Sequence, residues 1–141
     1  MTYEDFKGFS GFERDFEIDL GIERLSDVGM KRFSELVKSD LEGILNVSFR
    51  VVDFRGGGPF KRHFHFMDHR SSVGLVVDAP RDPWPYSVLP ASLTVKSNEV
   101  PAWEVAAGIY LRMESLGKYL LLATLEGGGF ISSNFASREN I

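Results

Sequence analysis

The chain has 141 residues, 43% apolar and 13% aromatic, with no cysteine and a formal net charge of −4. That length fits one domain with its own core, and the aromatic content excludes a largely disordered chain. The lack of cysteine excludes disulfides, cysteine-ligated zinc, iron–sulfur clusters and thiol nucleophiles. No run of about 18 apolar residues is present, so no membrane-spanning helix is expected. Residues 1–11 are acidic and have no apolar secretory core, so the expected location is cytoplasmic.

Charge is unevenly spread. Up to Asp27 eight acids stand against three bases, whereas from Asn46 to Arg70 five bases stand against two acids. An acidic chain is a poor general binder of nucleic acid, because neutralising phosphates supplies most of that affinity. A local basic segment still attracts a phosphate or an acidic partner, and the two segments can also neutralise each other across a fold.

In chain order, residues 1–11 read as a frayed lead-in. Over residues 12–20 the pattern alternates, with Phe16, Ile18 and Leu20 on one side and Asp15, Glu17 and Asp19 on the other. That period of two predicts a half-buried strand with an acidic outer face, and three like charges there suit a solvated edge. Phe33, Leu36, Val37, Leu41, Ile44 and Leu45 recur at spacings of three and four. They predict an amphipathic helix over residues 26–45 with Ser26 as N-cap. Strands are expected over 47–54, 60–67 and 72–78, the first two joined by the glycine-rich loop at Gly56, Gly57 and Gly58. Four of the six prolines fall in 79–90, which excludes helix and central strand there and predicts an ordered surface loop. A short strand over 91–97 follows. A second helix begins at Pro101, carries Trp103, Ala106, Ala107, Tyr110 and Met113, and is capped by Gly117. Two strands around Gly127, Gly128 and Gly129 close the order, and the tail from Ala136 is expected to fray. The expected class is α+β, a single domain with a mostly antiparallel sheet packed against two helices in the order β-α-β-β-β-β-α-β-β.

All three histidines lie in one segment, His63, His65 and His69. On a strand His63 and His65 project to the same face, where two imidazoles can share a divalent metal, with His69 as a third ligand. The spacing of Gly57, His63, His65 and His69 is similar to the first metal motif of the cupins. The chain departs from that motif with His69 and Arg70 where a cupin has its glutamate, and no histidine follows His69. Arg55, Lys61 and Arg62 flank the triple glycine as an expected anion-binding site, although the loop lacks the P-loop pattern. No cofactor motif and no nucleophile elbow is present. Asp15, Glu17 and Asp19, with Trp84 and Tyr86 on the proline-ordered loop, are therefore expected to bind a protein partner. The expected function is a small acidic binding protein without catalysis, of inhibitor, immunity or chaperone type, docking on a basic partner. The alternative is a small metal- or histidine-dependent enzyme using His63, His65 and His69.

Overall fold

The computed structural model describes residues 2–10, 15–52, 61–67, 71–97, 101–126 and 128–140. Among the described residues seven strands, β1 (Phe16–Gly21), β2 (Arg50–Val52), β3 (Lys61–Met67), β4 (Ser71–Asp78), β5 (Ala91–Ser97), β6 (Leu120–Leu125) and β7 (Gly129–Ser133), form one sheet in the order β2-β3-β4-β5-β1-β6-β7. Every neighbouring pair is antiparallel. The α+β class expected from the sequence holds, with four α-helices among the described residues: α1 (Thr2–Lys7), α2 (Leu25–Val28), α3 (Met30–Leu45) and α4 (Ala102–Ser115).

The register sorts the strand residues into two faces. Phe16, Ile18 and Leu20 share a face with Phe64, Leu75, Leu93, Leu121 and Ala123, and all of these are buried. The helices cover that face. Phe33, Val37 and Leu41 of α3 and Ala106, Ala107, Tyr110 and Met113 of α4 close the core from above. An α+β sheet covered on one side leaves the alternate residues on an open, polar face.

Three expectations change. Residues 2–7 are helical rather than frayed, because Phe6 is fully buried against Phe16 and Tyr110, with ring centroids 6.0 and 5.6 Å away. The helix expected over 26–45 is broken at Gly29, whose φ of 84° is open to glycine and strained for other residues, so Ser26 lies inside α2 and caps nothing. Most important for the site, β1 is not an edge strand. It sits between β5 and β6, with two strands beyond it on one side and four on the other. Among the described residues no helix is long and apolar enough to cross a membrane.

Candidate binding cleft on the open sheet face

Loop 79–90 links β4 to β5 and folds back over the open face above β1. Its ends are closed by a hydrogen bond from the Asp78 amide to the Pro90 carbonyl at 2.9 Å, and the Asp78 side chain accepts from the Ala79 amide at 2.7 Å. A short 3-10 turn at Tyr86–Val88 follows Pro85, while Pro85, Leu89 and Pro90 are buried. The loop lands on Gly21. A Cβ at that position would lie 1.8 Å from the Val88 carbonyl oxygen, so only glycine admits the backbone this close.

Beside the landing point lies a cleft of about 350 Å³, lined by Glu17, Lys61, Asp78, Arg81, Ser92 and Thr94 with Leu89 and Pro90 as apolar wall. That volume is at the small end of ligand sites. Lys61 pairs with Asp78 at 3.6 Å across the β3–β4 ladder. Glu17 accepts a hydrogen bond from the Ser92 hydroxyl at 3.0 Å. Arg81 stacks over the Tyr86 ring, 5.6 Å from its centroid.

Asp19 lies two residues along from Glu17 and directly opposite Ser92, in the part of the face the loop covers. It is 1% exposed, and neither carboxylate oxygen has a hydrogen-bond partner among the described residues. Burial, then the neighbouring Glu17 charge, pushes its carboxyl up from 3.8 to about 7; Ser92 and Arg81 offset only part of this. The Ser92 hydroxyl has one proton to give, and its geometry directs that proton to Glu17. Tyr86 is pushed up in turn, by burial first and then by Asp19 and Glu17.

The acidic stripe expected on β1 is therefore not a solvated surface. Asp15 pairs with Lys96 at 3.3 Å and shares a hydrogen bond with Glu126 that raises the Glu126 carboxyl. Glu17 is held by Ser92, and Asp19 is buried. Lys61–Asp78 and Lys96–Asp15 lie on this same face, and each joins one of the two charged stretches of the sequence to a residue outside both, so these pairs do not set the acidic stretch against the basic one.

Trp84 stands apart from this neutralised ground. It is 47% exposed and braced edge-on against Phe135, with centroids 5.8 Å apart and planes at 85°. Tyr86, on the same loop, is half-buried.

His63 and His65 share the open face as expected, with ring centroids 6.4 Å apart. His65 Nε2 and Ser72 Oγ are hydrogen-bonded at 3.0 Å. Burial, then His65 and Lys61, lowers the His63 pKa and favours its neutral form. Gly74 opposes His65, and a Cβ there would meet both rings at ordinary contact distance, 3.7 and 3.8 Å. His69 lies outside the described residues, and no group of three or more metal-ligating side chains is found among those described. Arg55 and the triple glycine also lie outside them. Lys61 and Arg62 are consecutive residues of β3 and project to opposite faces, so they do not converge on one anion as the sequence led us to expect.

Sequence reasoning missed Gly21, Arg81, Ser92 and Asp78. The only local signal was Gly21 itself, which reads as a strand end when the chain that crosses it lies 67 residues downstream, at Val88. No protein-family model, curated protein or solved structure matches this chain.

Proposed function

We propose that the chain is a binding protein without catalysis, of inhibitor or immunity type. Its docking site is the end of the open face crossed by loop 79–90, and its partner is a protein presenting basic side chains. The observation that carries this reading is Trp84, half exposed on a loop anchored by buried Pro85, Leu89 and Pro90. A large aromatic held in place before binding loses little conformational freedom on docking, which is how a few anchors come to dominate an interface. The basic character of the partner rests on Glu17 at the cleft and on the net charge of −4. Such charges steer association and make it weaken with salt.

The test begins with partners retained at low salt and ends with a purified partner titrated against variants. Trp84→Ala is expected to weaken the complex by about 2 kcal/mol, roughly thirtyfold, with the fold intact by circular dichroism. A partner bound equally well by Trp84→Ala and by Glu17→Gln overturns the proposal.

A second reading, a metal- or histidine-dependent enzyme, is favoured by the side-by-side rings of His63 and His65 and by the depressed His63 pKa. Neutral imidazole is the metal-ligating form. Elemental analysis of protein purified without chelators decides it. Near-stoichiometric metal that disappears in His63→Ala/His65→Ala supports this reading, and metal-free protein after soaking with zinc, nickel, manganese and iron refutes the metal form.

A further inference from the structure

Asp19 is a carboxyl buried on the open side of the sheet, away from the helices. It is 1% exposed, and neither oxygen has a hydrogen-bond partner among the described residues. Glu17 and Gly21 flank it on β1, Ser92 stands opposite on β5 and Leu122 opposite on β6. Ser92 gives its proton to Glu17, and Leu122 has no polar side-chain atom. Above lies loop 79–90, which lands on Gly21 at the Val88 carbonyl and brings Arg81 and Tyr86 within electrostatic reach. Glu17, Arg81 and Tyr86 are the titratable or charged groups that face Asp19. Its opposite residues on β5 and β6 carry no charge, and the Lys61–Asp78 pair stands off on the β3–β4 side of the cleft.

The loop can move as one piece. The amides of Tyr86 and Ser87 donate to the Pro83 carbonyl, that of Val88 to Pro85 and that of Leu89 to Tyr86, all within the loop. Its base is pinned by the bond from the Asp78 amide to Pro90. Its middle rests on the sheet by packing, at Gly21 and through Trp84 on Phe135. Packing contacts separate without breaking the hydrogen bonds inside the loop. A neutral carboxyl tolerates the dry place beneath it. An ionised one does not, because burying an unpaired charge costs far more than burying its acid. Water can reach Asp19 only from the side the loop covers, since the other face of the sheet is the helix-packed core.

We propose that loop 79–90 is a latch closed by the proton on Asp19: it lies on the sheet while the carboxyl is neutral, and loss of that proton lifts it and lets water reach the carboxylate. Burial and the Glu17 charge raise the carboxyl to about 7 in the closed form, and opening returns it toward 3.8. The ratio of open to closed loop therefore rises by up to about tenfold per pH unit between those values and levels off above the higher one. The effect on docking rests on the docking reading above. Trp84 rides on the loop, so a partner's affinity falls with the closed fraction. The latch itself needs no partner.

The chain has no cysteine, so a thiol placed on the inner side of the loop is unique. Leu89 is 3% exposed, and Leu89→Cys is expected to react with dithiodipyridine only when the loop lifts. The rate is measured in Leu89→Cys and in Leu89→Cys/Asp19→Asn at each pH, and their ratio cancels the chemistry of the thiol. That ratio should rise roughly tenfold or more from about pH 5 to about pH 7 and then level. A flat ratio overturns the latch, because Asp19 then keeps its proton or has its charge met in place by Arg81 or Ser92. The unsubstituted chain decides if the variants do not fold. Exchange broadening of the amides of Gly21 and loop 79–90 is expected to grow over the same pH range, and its absence, or an even spread over the sheet, overturns the latch. Trp84→Ala keeps the two readings apart. It is expected to weaken the protein complex and to leave the rise of the labelling ratio unchanged, so either can fail alone.

Discussion

The two faces of the sheet are made from alternate residues of the same strands, yet they are held by different physics. The covered face is a continuous apolar layer in which Phe16, Ile18, Leu75, Leu93 and Leu121 each meet several neighbours. Contacts there are numerous and interchangeable. The open face is held by single contacts: Ser92 to Glu17, Lys61 to Asp78, Lys96 to Asp15, and the loop backbone on Gly21. Most of its charges are balanced in pairs. Asp19 is the exception, being as buried as the core but polar. The comparison shows how a central strand can carry a carboxyl that the helices never cover: a loop from elsewhere in the chain excludes the water instead.

The largest expected effect lies on the covered face. Phe16→Ala removes a ring buried against Phe6 and should cost about 3–5 kcal/mol, read as a lower urea midpoint with an unchanged slope. If it costs less than about 1 kcal/mol, the two faces do not differ in the way described.

Asp19 gives the next effect, with a defined pH dependence. Its carboxyl is raised from 3.8 to about 7 in the folded chain, so the folded state keeps a proton that the unfolded state loses between those values. This contribution is fully present below the lower value and is lost as pH rises through the higher one. The wild type should therefore lose up to a few kcal/mol relative to Asp19→Asn as pH rises from about 4 to about 8, the two chains diverging most above neutrality. Denaturant titrations of both chains across that range check it, and parallel curves would place Asp19 among the ordinary surface carboxylates.

Gly21→Ala should follow, at about 1–3 kcal/mol, because the added methyl strikes loop backbone rather than a flexible side chain. In a Trp103→Phe background its Trp84 emission should shift as the loop detaches. An unshifted spectrum at full stability would mean that the loop does not depend on this landing point. The smallest effect sharpens the contrast within β1 itself. Asp15→Asn removes an ion pair to a lysine side chain that is 60% exposed, and should change stability by less than about 0.5 kcal/mol.

Much of the covered face was legible in the sequence. The alternation of Phe16, Ile18 and Leu20 and the three-and-four spacing of Phe33, Val37 and Leu41 are local signals, and their buried faces are those observed. The N-terminal helix was missed because a single turn around Phe6 carries no period. The break at Gly29 was missed because a helix tolerates an isolated glycine, and only the backbone dihedral shows that this one does not continue it. For the candidate site, the sequence pointed to Glu17, Asp19, Trp84 and Tyr86 but assigned them one role, a solvent-facing contact. The structure separates them into a cleft carboxylate, a buried carboxyl, an exposed indole and a half-buried ring.

Periodicity thus determined which residues of each strand share a side, and composition determined that an apolar layer would form, because both depend only on near neighbours in the chain. Strand order did not follow from either. An alternating strand reads the same at an edge as at the centre, and its polar side meets whatever the rest of the chain brings. Here the tertiary structure brought a proline-ordered loop onto Gly21, and with it the desolvation that separates Asp19 from Asp15, four residues away on the same face.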